Sequence, residues 1–223
     1  MNIVERIDDA VKIDNVLVSV SDKTGLDRLI PALLDVNPGV RIYSTGGTFN
    51  RIKEILGNRV GSCLTQVSDY TGQPETQGGL VKTLDFKIYL GLLTETYNQA
   101  HQQDLKRTAA VTLDMVVVNL YPFQKTIAKE GVTVEEARSN IDIGGPCMVR
   151  ASAKNYIRVA SVVDPADYDR IISELENTRG TLSLGLRFEL ARKAFDLTAR
   201  FDRAIADFLS ARTPEAAAGC YTI

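Results

Sequence analysis

The stretch Asn15-Val16-Leu17-Val18-Ser19-Val20-Ser21-Asp22-Lys23-Thr24-Gly25-Leu26 decides the fold. Its first five residues are an apolar run with no helical period, which reads as a strand buried on both faces. Ser21 to Gly25 form a polar turn, with Ser, Asp and Thr as candidate caps of a helix through Leu26, Leu29, Leu33 and Leu34. Pro31 falls inside that helix and predicts a kink or a split. The pattern recurs at once. Val40–Tyr43 is a second β-type run, Ser44-Thr45-Gly46-Gly47-Thr48 a second polar loop, and the segment through Ile52 and Ile55 a second amphipathic helix. Strand, loop and helix repeated in this way predict an α/β domain with a largely parallel sheet flanked by helices.

Further along, Gln66 to Gly72 reads as turn-rich, ending near Pro74, and Gly78-Gly79 lead into Val81-Lys82-Thr83. A polar surface helix is expected over Asn98–Lys106, and Asp114–Asn119 is a strand buried on both faces. A helix over Val134–Ser139 precedes Ile141-Asp142-Ile143-Gly144-Gly145. Pro146 suits the first position of the helix running to Lys154. Val159–Val163 is a strand, and Asp164-Pro165 opens a helix through Tyr168, Ile171, Ile172 and Leu175. A long C-terminal helix from Leu184 to Leu209 carries an apolar stripe through Leu186, Leu190, Ala194, Leu197, Phe201, Ile205 and Phe208. Residues 1–223 are read as one domain, with 1–14 and 210–223 as loose ends.

Composition narrows the function. Lys plus Arg number 26 against 28 Asp plus Glu, so the chain lacks the basic surplus of a nucleic-acid binder. One histidine, His101, excludes a His-rich metal centre, and its polar neighbours mark it as a solvated surface residue. Cys63, Cys147 and Cys220 show neither CxxC nor CxxH spacing, which predicts free thiols in a reducing cytoplasm. No signal peptide or membrane-spanning run is read.

Two loops invite a phosphate, because each follows a strand and opens a helix whose free N–H groups favour an anion. One is Ser21, Asp22, Lys23 and Thr24; the other is Ser44 to Thr48. Tyr121 lies just past a buried strand, where sites of parallel sheets gather. Asp142 sits between two isoleucines and needs a partner, for which a helix N-terminus at Gly144-Gly145 is one choice. Lys82 and Lys154 stand in polar, Gly-flanked or Ser-flanked contexts, where a solvated surface charge is the plain alternative.

Six ordered segments then carry a resemblance: Ser-Val-Ser-Asp-Lys-Thr-Gly-Leu (19–26), Ser-Thr-Gly-Gly-Thr (44–48), Val-Lys-Thr-Leu (81–84), Asn-Leu-Tyr-Pro-Phe (119–123), Ile-Asp-Ile-Gly-Gly (141–145) and Arg-Ala-Ser-Ala-Lys-Asn (150–155). From about Asn15 to Leu209 the chain resembles the IMP cyclohydrolase domain of the bifunctional enzyme AICAR transformylase/IMP cyclohydrolase. The resemblance implies a methylglyoxal-synthase-like fold and no metal or organic cofactor. It implies ring closure of 5-formamidoimidazole-4-carboxamide ribonucleotide (FAICAR) to IMP with loss of water. It places Ser21, Lys23, Thr24, Ser44, Thr45, Gly46, Gly47, Thr48 and Thr83 around the 5′-phosphate. Asn119, Ile143, Gly144 and Gly145 would line the base, and Lys82, Tyr121, Asp142 and Lys154 would form the catalytic group. Lys82 would stabilise the formyl oxygen, Asp142 paired with Lys154 would orient or deprotonate the carboxamide, and Tyr121 would position groups or relay a proton. The expected partners are the nucleotide, a separate AICAR transformylase and a second copy in a small homodimer, with no nucleic acid polymer and no membrane.

The chain also departs from the family pattern. Arginine is replaced by Leu80, histidines by Asp85, Tyr89 and Tyr156, and a proline by Phe86; either another cation such as Lys87 substitutes or binding is weaker. A non-catalytic purine-nucleotide-binding paralogue is therefore the alternative reading. A methylglyoxal-synthase-type lyase is disfavoured, since its chemistry needs an imidazole that His101 does not supply.

Overall fold

The computed structural model describes residues 3–61, 63–74 and 81–222. Its strands are β1 (Ala10–Lys12), β2 (Asn15–Val20), β3 (Arg41–Ser44), β4 (Leu64–Gln66), β5 (Met115–Asn119), β6 (Ala160–Val162) and β7 (Thr181–Ser183). Five of them form a parallel sheet in the order β4-β3-β2-β5-β6. The chain thus builds outward from β2 in one direction, returns, and builds outward from β5 in the other. The C-terminal ends of β2 and β5 flank the topological switch point, where open parallel sheets hold their ligands.

Period-two alternation explains why this sheet is central. Val16, Val18 and Val20 of β2, with Met115 and Val117 of β5, face one apolar cluster. Leu17, Val116 and Val118 face the other. Helices α1 (Leu26–Val36), α2 (Gly46–Leu56) and α9 (Tyr168–Thr178) contribute to the first cluster. Helices α4 (Phe86–Leu93) and α8 (Gly144–Lys154) contribute to the second. The short helices α3 (Val67–Thr71), α5 (Gln99–Thr108), α6 (Phe123–Ile127) and α7 (Val134–Ser139) decorate the connections. The long α10 (Leu184–Ser210) adds apolar residues to both clusters and to a third beneath α6 and α7. No helix among the described residues is long and apolar enough to cross a membrane.

Several sequence expectations need correction. Pro31 does not split α1, which runs unbroken from Leu26 to Val36. None of Ser21, Asp22 or Thr24 caps it; Gly25 stands at the N-cap, and the Asp22 carboxylate instead accepts from the Thr24 N–H and hydroxyl, at 2.9 and 2.7 Å. The turn-rich stretch from Gln66 holds the end of β4 and all of α3. Helix α8 starts at Gly144, so Pro146 takes its third position, not its first. His101 is half-buried and accepts from the Glu95 N–H through Nδ1 at 3.2 Å. Gly78-Gly79 and Leu80 lie outside the described residues.

Nor are the ends as loose as expected. Strand β1 pairs antiparallel with β7, and Ile13 is buried. The guanidinium of Arg187, itself fully buried, donates to the carbonyls of Asp8 (2.9 Å), Asp9 (2.9 Å), Tyr156 (3.0 Å), Ile157 (3.2 Å) and Leu182. It pins the N-terminal segment to α10. At the other end α11 (Pro214–Ala218) is capped by Thr213, and the Tyr221 hydroxyl bonds Glu135 of α7.

A buried polar network braces the opposite, N-terminal ends of β2 and β5. Arg158 donates to the Asp114 carboxylate at 3.0 Å and to the carbonyls of Thr94 (2.9 Å) and Gly91. The other Asp114 oxygen accepts from the N–H groups of Asp14 (3.1 Å) and Asn15 (2.8 Å).

Candidate active site

A cavity of about 510 Å³ opens at the switch point. Its walls come from the turn after β2 (Ser19, Val20, Ser21, Lys23), the start of α2 (Thr45, Gly46, Gly47, Thr48) and the segment before α4 (Lys82, Thr83, Leu84). The end of β5 (Val118, Asn119, Tyr121) and the run from Ser139 to Gly145 with Met148 complete it. Of the residues expected at the site, Lys82, Tyr121 and Asp142 are brought together here. So are Ser21, Lys23, Thr45, Gly46, Gly47, Thr48, Thr83, Asn119, Ile143, Gly144 and Gly145.

Three expected residues are not. Ser44 is fully buried and its hydroxyl donates to the Val18 carbonyl at 2.7 Å, a tie between strands. Thr24 spends its hydroxyl on Asp22. Lys154 is exposed at the far end of α8, separated from Gly144 by about 15 Å of helix at 1.5 Å per residue. It does not line the cavity, and no ion pair joins it to Asp142. Lys87 does not line the cavity either. Its ammonium donates to the Tyr70 carbonyl at 3.2 Å and lies over the Tyr70 ring. Asp85 caps α4, accepting from the Lys87 N–H at 2.7 Å, and thereby anchors the segment that carries Lys82 and Thr83. Tyr89 is turned toward Cys147, and burial pushes its phenol pKa up.

Two helix N-termini meet in the cavity. Helix α2 opens at Gly46 with no side-chain cap, leaving its first N–H groups to a ligand. The Lys82 ammonium stands beside it, 3.3 Å from where a Cβ on Gly46 would lie. Helix α8 opens at Gly144-Gly145, and there the Asp142 carboxylate accepts the Gly145 N–H at 2.9 Å. Burial pushes the Asp142 pKa above the usual aspartate range, while N–H groups of Gly145 and Tyr121 pull the other way. The cavity therefore has a cationic end at α2, fit for a phosphate, and a half-buried carboxylate at α8. Tyr121 and Ile143, both more than half exposed, stand on its wall as surfaces for a planar ring.

The seating of Asp142 depends on the absence of a side chain at position 145. A Cβ on Gly145 would fall 2.5 Å from one Asp142 oxygen and 2.8 Å from a Leu120 methyl. Gly145→Ala is therefore expected to push the carboxylate off its N–H donor. A structure of the variant should show the carboxylate displaced and its bond to the Gly145 N–H lost; an unmoved carboxylate would show that position 145 need not be glycine.

The sequence reading missed Ser19, Val20, Leu84, Val118, Ser139, Asn140, Ile141 and Met148 in the wall. Ser19 was legible, because it sits at the C-terminal end of a buried strand, where parallel sheets hold their ligands. Its hydroxyl pairs with that of Thr45 at 3.0 Å.

Comparison with known proteins fits this geometry. Residues 29–147 match the family model of the MGS-like domain, and residues 152–222 match that of the AICARFT/IMPCHase bienzyme. The chain is 47% identical over 210 residues to the Bifunctional purine biosynthesis protein PurH of Magnetococcus marinus, covering 94% of this chain and 38% of that one. It is 49% identical over 193 residues to the protein of the same name from a Thermoanaerobacter species, covering 86% and 36%. The chain thus spans well under half the length of these relatives. The crystal structure of ForH superposes with a TM-score of 0.76 at 28% identity, covering 92% of this chain and 98% of that one.

Proposed function

The chain belongs to the MGS-like domain family, and from that premise we propose that it is an IMP cyclohydrolase, closing FAICAR to IMP with release of water in the cytoplasm. One observation carries the reading: Lys82, Tyr121 and Asp142 line a single cavity, with Lys82 beside the uncapped, glycine-opened start of α2 and Asp142 at the start of α8. Similarity to proteins named for purine biosynthesis, and to the bienzyme family over residues 152–222, supports it.

In the proposed reaction the phosphate rests on the start of α2, with Lys23 and the Ser21 turn beside it. The ring lies along Tyr121 and Ile143. The carboxamide nitrogen attacks the formyl carbon, a C–N bond forms, and the carbonyl electron pair moves onto the formyl oxygen. Because both groups belong to one bound molecule, fixing their orientation supplies much of the acceleration. Lys82 offers positive charge and a proton to the developing oxyanion. Ionised Asp142 accepts the proton from the carboxamide nitrogen. The former formyl oxygen, now a hydroxyl, leaves as water with the proton held by Asp142, and the former formamide nitrogen gives its proton to Lys82, which forms the ring C=N bond and returns both side chains to their starting states. Lys154 has no direct part in this scheme, given its place at the end of α8.

Purified protein given FAICAR in metal-free buffer is expected to yield IMP. Saturable IMP binding without turnover would favour the non-catalytic nucleotide-binding module instead. The raised pKa of Asp142 adds a pH signature. Since the ionised form is the base, kcat/KM should fall as pH drops through a value above the usual aspartate range. A profile that stays flat down to that range would remove Asp142 from the role.

A further inference from the structure

We infer that Asn119 is a positioning residue for the phosphate-binding turn rather than a contact for the base; this rests on the nucleotide reading above. Asn119 closes β5 on the cavity wall, where a side-chain amide would be expected to read the heterocycle. Its amide is already engaged elsewhere. The side-chain oxygen accepts two backbone N–H groups, from Ser21 at 2.7 Å and Asp22 at 2.9 Å. The amide nitrogen donates to the Asp22 carbonyl at 2.8 Å. An amide oxygen has two lone pairs, so this one has no acceptor capacity left for a ring N–H, and one N–H is all the side chain has left.

The three bonds cross the switch point from β5 to the turn after β2 and fix the backbone of the two residues before Lys23. Lys23 in turn donates to the Ser21 carbonyl at 3.3 Å, so its ammonium is tied to the same turn. From the other side the Thr48 hydroxyl grips the residue before the turn. It accepts from the Val20 N–H at 3.1 Å and donates to the Val20 carbonyl at 3.0 Å. The turn that would hold the phosphate is therefore clamped between α2 and β5, and Asn119 is the β5 jaw.

A ligand with a phosphate and no base separates the two roles. Binding of ribose 5-phosphate and of IMP is measured by calorimetry on the whole chain, wild type and Asn119→Ala. If Asn119 acts through the turn, both ligands lose affinity by the same factor, about tenfold. Unchanged ribose 5-phosphate affinity, whether or not IMP affinity falls, would overturn the inference. Amide hydrogen exchange on the wild type needs no variant: the Ser21 and Asp22 amides should be protected in the unliganded protein, and rapid exchange at both would contradict the clamp. Failure of the nucleotide reading looks different. The wild type would then bind IMP no better than ribose 5-phosphate and leave FAICAR unchanged, whatever the exchange data show.

Discussion

Lys82→Ala is expected to lower kcat for FAICAR cyclisation by about 10²–10³-fold, the range seen when a single oxyanion-stabilising donor is removed. The protein should remain folded, because Lys82 is exposed and its side chain braces nothing in the core. The division between kcat and KM carries the information. In the unliganded molecule the Lys82 ammonium lies beside Gly46, at the end of the cavity assigned to the phosphate. A group that acts on the formyl oxygen works mainly in the transition state and lowers kcat. A group that only holds the phosphate binds ground and transition states alike, so its loss raises KM and spares kcat. Steady-state kinetics of the variant decide between these roles, and a rise in KM alone would move Lys82 to the phosphate site.

Arg158→Met should produce the largest loss of stability. It leaves Asp114 buried with two N–H donors and no cation. Breaking a buried pair from one side costs about 3–5 kcal/mol. At roughly 2–4 °C per kcal/mol for a chain of this size, the melting temperature should drop on the order of 10 °C. Burial already pushes the Asp114 pKa up, with Arg158 foremost among the groups opposing it. Without Arg158 the folded state binds that proton more tightly than the unfolded state does. The variant's deficit should therefore narrow as pH falls through the raised pKa and be full above it. Thermal unfolding across that pH range checks the sign; a deficit independent of pH would mean that the loss comes from the carbonyls of Gly91 and Thr94. Adding Asp114→Asn should recover part of the stability.

The parallel sheet was legible because β2 and β5 are buried on both faces and so read as unbroken apolar runs. The opening of α2 was legible from its paired glycines, whereas Pro146 drew the expected start of α8 two residues too far along. What escaped has physical causes. Strands β1, β4 and β7 lack the flanking apolar run that made the equally short β6 legible, and exist because neighbouring segments lend them partners. Sequence gives residue types near a site but not where their polar atoms are spent. Ser44, Thr48 and Asn119 carry groups that suit a ligand, yet the structure commits them to backbone. Lys154 illustrates a related limit. Resemblance grouped it with Asp142, but α8 is a rigid rod that holds the two at opposite ends.

Whether this cavity closes the purine ring is read from the initial rate of IMP formation from FAICAR. That rate should saturate with FAICAR, exceed spontaneous cyclisation in the presence of a metal chelator, and collapse in Lys82→Ala and Asp142→Asn. Folded protein that binds IMP yet forms it no faster than buffer alone would contradict the cyclohydrolase reading.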